Sequence, residues 1–385
     1  MEANDSEIKT KSSSKKSNIL LYEVAITEDG MEGMALVSGD ERAQKVIAYL
    51  PKIDEETYSM NIGAQLLRQA SINSLMKNIE EIEHLRDSLR SETLEKVGNE
   101  LNLEKSAVVF EEVKDLIIVN GTPVTKFTAI QTPPSVLLSH VEPLCQTQWH
   151  QREPYNHKMT YGLVKSDNEI HQGYYIAGCG PICVAQILAT IRPSITYNGV
   201  KMDWPYLKQT SKISTSDPAK KIEMVSSLVK ACFDGTYATY KMNGDVNTST
   251  STVESNLVYF IRQYANTGLC QPWDALLIYN SITAYKPVAV FAQGVDNNNQ
   301  PVGHAFILDG YIQCTKYYGA QTANQSGTTL GLVNQYDCYF HTNLGWGGSA
   351  DGYYLIEKNS SVYFQTPSSS YNSSNIRILP DISRK

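Results

Sequence analysis

The stretch Gly173–Ile191, with the sequence GYYIAGCGPICVAQILATI, predicts a tight turn that leads into a buried helix. Small residues around Gly178 and Gly180 allow the backbone to turn tightly and to approach a neighbouring segment or a ligand. Pro181 suits the first turn of a helix, because its missing N–H would have no helical acceptor there. The apolar positions that follow predict a buried helix to the end of the stretch. Cys179 is therefore expected at, or just before, a helix amino terminus.

The position of Cys179 favours a chemical role. Aligned peptide dipoles at a helix amino terminus stabilise a thiolate, and the thiolate is the nucleophilic form of cysteine. The alternative is a buried cysteine with no chemical role, which is the common case for a single cysteine. The neighbouring Cys183, one helical turn further on, is expected to be structural.

Composition describes a folded protein and argues against some classes of partner. The chain has 385 residues, of which 42% are hydrophobic and 19% are charged, and this is enough for two or three ordinary domains. A net charge of −7 argues against nucleic acid as a main partner. No apolar run approaches the ~20 residues that a membrane-spanning helix requires. No transmembrane segment is therefore predicted.

The amino terminus and the cysteines bear on the cellular compartment. Residues 1–8, MEANDSEI, lack the apolar core of a signal peptide. Either the protein stays in the cytoplasm or a signal has been removed; we expect the second, and hence a secreted, periplasmic or cell-surface protein. The seven cysteines include no CxxC pair, so they predict neither a disulfide framework nor a zinc site. No metal and no other cofactor is predicted.

The chain divides into two units joined by a linker. Residues 1–17 are polar and are predicted to be disordered. Residues 18–121 predict a small α+β unit, with three strands and a helical region at 19–26, 33–39, 45–50 and 62–97. Residues 122–134 carry three prolines and predict an extended linker. The second unit comprises residues 135–385.

The second unit is predicted to be helical first and sheet-forming later. A loop over 149–156 precedes the Cys179 helix. Two more helices are predicted at 222–233 and 253–264. The segment 241–251 between them is polar and is predicted to be a loop. Strands of an antiparallel sheet follow, at 287–292, 302–311, 337–343 and 352–356. The predicted fold class is α+β.

Four other residues supply what a thiolate nucleophile needs, namely a base, an acceptor that orients the base, and an oxyanion hole. His304 begins an apolar strand and Asn343 ends the next one, so antiparallel pairing can bring their side chains together. Trp346 would shield that hydrogen bond from water. Gln151 would join the Cys179 N–H in an oxyanion hole. Taken singly, each has an ordinary structural interpretation as a core or turn residue.

The order Gln, Cys, His, Asn is that of papain-like cysteine proteases. The chain more closely resembles the streptopain-like C10 family of bacterial cysteine peptidases. The motifs that carry this resemblance are QREPYN at 151–156, AGC at 177–179, VAQIL at 184–188, GHAFILDGY at 303–311, NLGWGG at 343–348 and DG at 351–352. The resemblance covers nearly the whole chain and implies a papain-like cysteine protease fold for the second unit.

The resemblance also assigns roles to individual residues. It implies that Cys179 is the nucleophile, that His304 is its base and that Gln151 belongs to the oxyanion hole. Asn343 and Trp346 are implied to support the histidine. The glycines next to these residues permit close approach of a substrate, and the predicted substrate-contacting residues are Gly178, Gly303 and Gly345.

The amino-terminal unit resembles the propeptide of the same enzymes, through ALVSGD at 35–40 and IAY at 47–49. The resemblance implies an inactive zymogen in which residues 18–121 act as an intramolecular inhibitor. Cleavage is expected near the 122–134 linker, around residues 130–131. The mature peptidase would then begin at the start of the second unit.

The leading interpretation is a secreted or surface cysteine endopeptidase that acts on protein or peptide substrates. Three departures from the family pattern leave its substrate preference open: GPIC at 180–183, Val302 and Leu344. One alternative is another papain-like hydrolase, such as an amidase or a transglutaminase-like acyl transferase. The other is a catalytically inactive adhesin or binding module that keeps the fold.

Overall fold

Helices pack on both faces of an antiparallel sheet, which confirms the predicted α+β class. The structure is a computed structural model and describes residues 4–8, 19–28, 31–40, 46–51, 64, 67–68, 71–72, 75–77, 79–80, 84, 118–119, 122–123, 137–166, 169–296, 301–316, 320–321, 329–330, 335–355, 364–365, 369–371 and 376–385. Most of the predicted helical region 62–97 and the linker from residue 124 lie outside these residues. No helix within the described ranges has the length and apolar character needed to cross a bilayer.

The described residues of the amino-terminal segment form the three strands that were predicted over 19–26, 33–39 and 45–50, together with three others. Its strands are β1 Asn4–Ile8, β2 Ile19–Glu28, β3 Met31–Ser38, β4 Val46–Leu50, β5 Ile118–Val119 and β6 Thr122–Pro123. The described residues between 64 and 84 are helical. Residues 1–17 were predicted to be disordered, but residues 4–8 form β1. Pairing with β2 provides the backbone hydrogen bonds of this strand.

The middle of the chain, in its described residues from 137 to 283, contains five helices. In chain order its elements are β7 Leu137–Val141, β8 Tyr161–Ser166, β9 Glu169–Tyr174, α1 Cys179–Ile191, β10 Thr196–Tyr197, β11 Val200–Lys201, α2 Trp204–Leu207, α3 Ala219–Gly235, β12 Thr239–Asn243, β13 Val246–Ser251, α4 Glu254–Tyr264, β14 Ala265–Asn266, β15 Gln271–Pro272 and α5 Ala275–Thr283. The loop predicted over 241–251 is instead part of the β12–β13 hairpin. This prediction was wrong because β13 also pairs in parallel with β8, a long-range contact that polar composition does not reveal.

The carboxy-terminal part supplies most of the sheet. Its strands are β16 Val288–Asp296, β17 Pro301–Lys316, β18 Ala320–Gln321, β19 Thr329–Leu330, β20 Gln335–Asn343, β21 Gly352–Leu355, β22 Phe364–Gln365, β23 Ser369–Tyr371, β24 Ile376–Leu379 and β25 Ser383–Arg384. The main sheet has the order β1-β2-β3-β4-β21-β20-β17-β16-β23-β22, while β7 pairs with β17 and β24 pairs with β16 and β15. The amino-terminal strands therefore continue the sheet of the second unit.

Two apolar cores lie on the two faces of this sheet. One core contains α1, α3 and α4 and the sheet residues that face them, including Ala305 and Ile307. The other contains α5, the described helical residues from 64 to 79 and the opposite sheet face, including Phe306. Alternate residues of β17 thus enter different cores, as the twofold repeat of a strand requires.

Candidate active site

The turn before α1 places Cys179 at the helix start, as predicted. Gly178 is the N-cap residue and has a φ of 93°, a left-handed conformation that glycine adopts without a steric penalty. A Cβ atom at this position would lie 2.8 Å from the Cβ of Thr250. The helix begins at Cys179 itself, and Pro181 lies in its first turn.

The Cys179 thiol is partly buried and lies against the backbone of β17. Burial raises the pKa of the Cys179 thiol, while the backbone N–H groups of Ala305, Gly180 and Cys179 itself act in the opposite direction. The stabilisation expected from the helix start is therefore present, but desolvation outweighs it. The thiol is the favoured form in this state of the molecule.

His304 lies on β17 next to Ala305. Its side chain lies on the face of the strand opposite the side chain of Ala305 and α1. Its ring stacks on Phe306 with the ring centroids 5.8 Å apart, and Phe306 belongs to the core opposite α1. One imidazole nitrogen faces the carbonyl of Leu344, and the buried Nε2 has no hydrogen-bond partner among the described residues. The Cys179 thiol thus lies against the strand that carries His304. Among the described residues, no hydrogen bond joins the two side chains.

Burial also sets the charge of His304. It lowers the pKa of the imidazole to about 4, and the carbonyl of Leu344 only partly offsets this. The ring is therefore neutral at pH 7. A neutral imidazole has the protonation state that a general base requires.

Asn343 does not accept a hydrogen bond from His304, which corrects the orientation expected from the sequence. Its Oδ1 accepts from Nε2 of Gln186 at 2.8 Å and from the N–H of Gly345 at 3.2 Å. Its Nδ2 donates to the carbonyl of Thr147 at 2.7 Å. The amide of Asn343 therefore stabilises the loops around α1.

The loops that carry Gln151 and Trp346 contact each other beside the Cys179 turn. The carbonyl of Gln151 accepts from the N–H of Ala177 at 3.0 Å, which fixes the main chain of Gln151 close to the Cys179 turn. The Trp346 ring meets the ring of His150 edge to face, with centroids 6.1 Å apart. Trp346 therefore packs against the neighbour of Gln151. The oxyanion role of the Gln151 side chain stays a prediction.

The other two predicted substrate-contacting glycines have different surroundings. Gly303 is exposed, and a Cβ atom there would lie 3.3 Å from the carbonyl oxygen of Ala292. Gly345 has a φ of 71°, and its Cβ would lie 3.1 Å from Cγ2 of Ile182 on α1. Gly345 thus permits close packing of its loop on the helix. Substrate contact by either glycine stays a prediction.

Two buried polar residues at the site were given no role in the sequence analysis. Gln186 on α1 is fully buried, and Asp351 accepts a hydrogen bond from the N–H of Leu344 at 2.8 Å. Burial raises the pKa of Asp351 to about 7, although the Leu344 N–H and His341 act in the opposite direction. Both residues lie within motifs that carry the family resemblance. A polar residue inside an apolar helix was the available signal for Gln186.

The site combines a cysteine at a helix start with a histidine on the adjoining strand, in the chain order of cysteine peptidases. The sequence model of the peptidase C10 family matches residues 149–354, which is more than half of the chain and includes every predicted site residue. The chain belongs to the peptidase C10 family of cysteine peptidases. The family resemblance stated from the sequence is thereby confirmed.

The chain is also similar to a solved structure, that of active wild-type interpain A cysteine protease from Prevotella intermedia. The match has 18% sequence identity and a TM-score of 0.43, and it covers 66% of this chain and 99% of that chain. No curated protein shows a significant match to the chain.

Proposed function

We propose that this chain is a secreted or cell-surface cysteine endopeptidase, made as an inactive proenzyme, with Cys179 as nucleophile and His304 as general base. The observation that carries the proposal is the contact between the Cys179 thiol and the backbone of Ala305, the residue after His304. The thiol of the proposed nucleophile thus lies against the residue that follows the proposed base in the chain. A change in the backbone around His304 that turns its side chain to the α1 face would bring the imidazole to the thiol.

The proposed reaction needs only groups of this chain and water. His304 accepts the proton of Cys179 as Sγ attacks the peptide carbonyl, and the oxyanion is held by the Cys179 N–H and the amide of Gln151. The imidazolium donates its proton to the leaving amine as the C–N bond breaks, which leaves a thioester. Water, deprotonated by His304, then attacks the thioester and releases the carboxylate and the thiol.

The latent state is supported by the arrangement of His304. Its Nε2 is buried without a hydrogen-bond partner among the described residues, and its ring lies in the core on the face away from α1. A thiol of raised pKa whose base lies on the other face of the strand is a poor nucleophile. Activation would require the backbone around His304 to turn the imidazole to the α1 face.

Contacts between the amino-terminal strands and the main sheet support an inhibitory role for residues 18–121. β4 pairs with β21, with Ala48 opposite Tyr354. The hydroxyl of Tyr339 donates to the carbonyl of Val46 at 2.7 Å. The core that contains the His304 partner Phe306 also contains residues of β2, β3 and β4. Removal of the amino-terminal strands would therefore open the core in which the His304 ring lies.

The assignment is tested by Cys179→Ala, with Cys183→Ala as the matched control on the same helix. In the proposal Cys179→Ala lowers hydrolysis of casein at least ~10³-fold, whereas Cys183→Ala keeps most of the activity because its buried thiol takes no part. Parallel assays with cell-wall peptides and amine acceptors separate an endopeptidase from an amidase or an acyl transferase. Undiminished casein hydrolysis by Cys179→Ala would refute the assignment.

Maturation is tested by following the size of the chain under reducing conditions. Wild type is expected to shorten itself to about 28 kDa, from ~110 Da for each of the ~255 residues after the linker cleavage. Cys179→Ala should stay at full length unless wild-type enzyme is added. If both proteins remain at full length while wild type hydrolyses casein, self-cleavage is wrong.

A further inference from the structure

The side chain of Gln186 connects α1 to both loops of the candidate site. Its Oε1 accepts from the N–H of Trp149 at 2.9 Å and from the hydroxyl of Thr147 at 3.2 Å. Its Nε2 donates to Oδ1 of Asn343 at 2.8 Å. Three segments that are far apart in the sequence therefore meet at one amide.

These contacts form a closed hydrogen-bonded ring. Asn343, which accepts from Gln186, donates from Nδ2 to the carbonyl of Thr147 at 2.7 Å. Thr147 in turn donates its hydroxyl to Gln186. All three residues are buried, and such a network has only one arrangement that satisfies its donors and acceptors. The ring therefore fixes the relative positions of the three segments.

The position of Gln186 on the helix relates this ring to the nucleophile. Cys179 is the first residue of α1, and Gln186 lies two turns further along the same rigid element. Every residue of the helix from Gly180 to Ala189 is buried. Since Leu or Met would fill this position without the cost of burying an amide, the amide is best explained by its contacts.

Gln151 lies two residues after Trp149, whose N–H the Gln186 amide holds. A small movement of that main chain would displace the Gln151 side chain relative to Cys179. Oxyanion stabilisation depends on donor positions to a fraction of an ångström. The contact between Gln186 and Trp149 is thus placed to control the geometry of the proposed oxyanion hole.

We propose that Gln186 is a positioning residue, which holds the Gln151 loop in register with the Cys179 helix through the N–H of Trp149. The inference rests on the proposed function, because it takes Cys179 as the nucleophile and Gln151 as the oxyanion donor. Gln186 itself contacts no substrate. Its effect on catalysis is expected to pass through Gln151.

The test compares Gln186→Met, which removes all three side-chain hydrogen bonds, with Gln186→Glu, which keeps an acceptor for Trp149. Thr190→Val is the matched control on the same helix, because the Thr190 hydroxyl bonds to the Gln186 carbonyl and to the Cys145 thiol, so its loss leaves the contact between the Gln186 side chain and the Trp149 N–H in place. Each is made in the full chain and in a Gln151→Ala background, and is assayed under reducing conditions once the rate of peptide hydrolysis is constant. Alkylation of Cys179 by iodoacetamide is measured in parallel, since alkylation needs no oxyanion hole.

Gln186→Met is expected to lower kcat about 100-fold, the size of effect that loss of one oxyanion donor produces. KM should change less than about threefold, and the alkylation rate less than about twofold, because neither depends on the oxyanion hole. In the Gln151→Ala background, Gln186→Met should lower kcat less than about threefold further, because both changes remove the same function. The kcat of Gln186→Glu should be at least about tenfold higher than that of Gln186→Met. The kcat of Thr190→Val should match that of wild type.

The inference is overturned if the two losses multiply in the double variant, or if Gln186→Met slows alkylation as much as hydrolysis. If Gln186→Met does not fold, Gln186→Asn, which keeps a polar side chain too short to reach the Trp149 N–H, carries the same cycle with Gln151→Ala, and multiplied losses again refute it. Failure of the proposed function gives a different result, because wild type itself would then show no hydrolysis that depends on Cys179.

Discussion

Asn343 lies directly opposite Ile307 across the β17–β20 pair, so its side chain leaves the sheet on the α1 face. His304 is an odd number of residues from Ile307 on β17, and its side chain therefore leaves on the other face. This register explains why the Asn343 amide bonds to Gln186 and Thr147 while the imidazole faces the Leu344 carbonyl. The side chain of Asn343 therefore holds the loops around α1 together and does not orient the imidazole of His304.

The Asn343 contacts predict a large effect on stability. Asn343→Leu leaves Nε2 of Gln186, the N–H of Gly345 and the carbonyl of Thr147 without their partner, at about 1–3 kcal/mol for each buried group. We expect a loss of at least about 3 kcal/mol in the free energy of unfolding by urea. The control is Thr342→Val, because the buried Thr342 hydroxyl has no hydrogen-bond partner among the described residues. Equal losses for the two variants would contradict the prediction.

The raised pKa of Cys179 predicts slow alkylation of the unprocessed chain at neutral pH. Because burial raises the pKa of this thiol, the reactive thiolate should accumulate only above the ordinary thiol range. The rate of Cys179 alkylation by iodoacetamide, followed by mass spectrometry of its peptide, should rise continuously from pH 6 to 10. A plateau between pH 6 and 7 would show a thiolate–imidazolium pair already present and would contradict this prediction.

Asp351 predicts a loss of stability as pH rises. Its pKa is about 7 in the folded chain and about 3.9 when unfolded, so the folded state binds the proton more tightly. Its contribution is complete below pH 4 and is lost as pH rises through 7, at no more than about 1.4 kcal/mol per pH unit. Asp351→Asn keeps an acceptor for the Leu344 N–H and removes this dependence.

The stability of Asp351→Asn relative to wild type should therefore increase between pH 5 and pH 8, measured by urea unfolding. Asp274→Asn is the control, because Asp274 is an exposed N-cap of α5 and asparagine caps a helix equally well. If the free energies of unfolding of wild type and Asp351→Asn changed with pH in the same way, a buried Asp351 carboxyl of raised pKa would be contradicted.

Two glycines with positive φ, Gly244 and Gly178, distinguish the cost of backbone strain from the cost of tight packing at the Cys179 turn. Gly244 has a φ of 60° and nothing within 4 Å of an added Cβ, so Gly244→Ala should cost only about 1–2 kcal/mol. Gly178→Ala adds a clash with Thr250 at 2.8 Å and should cost about 1–3 kcal/mol more. It should also lower peptide hydrolysis. Equal unfolding free energies for the two variants would contradict the tight contact at Gly178.

The sequence predicted the local features of the site because they depend on neighbouring residues. Glycine before Cys179 and proline after it indicate a turn and a helix start, and the apolar residues after His304 indicate a strand. The face on which His304 lies depends on register, which a shift of one residue reverses. Gln186 resembles an isolated polar residue in an apolar helix, since its partners Thr147 and Asn343 are 39 and 157 residues away in the chain.

The predicted loop over 241–251 shows the same limit. Its Ser, Thr and Asn residues are common in loops, but β13 pairs with β8, where Val246 lies opposite Leu163. Long-range pairing of this kind outweighs local composition. The hairpin also places Thr250 against Gly178, so this segment packs on the Cys179 turn.

The most direct test of the account locates the nucleophile in the active protein. The self-processed chain is treated with a thiol-directed peptidyl epoxide until hydrolysis stops, and the adduct is mapped by mass spectrometry of its peptides. We expect one adduct, on Cys179, formed in proportion to the activity lost and much more slowly in His304→Ala. An adduct on another cysteine, or complete inactivation with Cys179 unmodified, would contradict the assignment of Cys179 as the nucleophile.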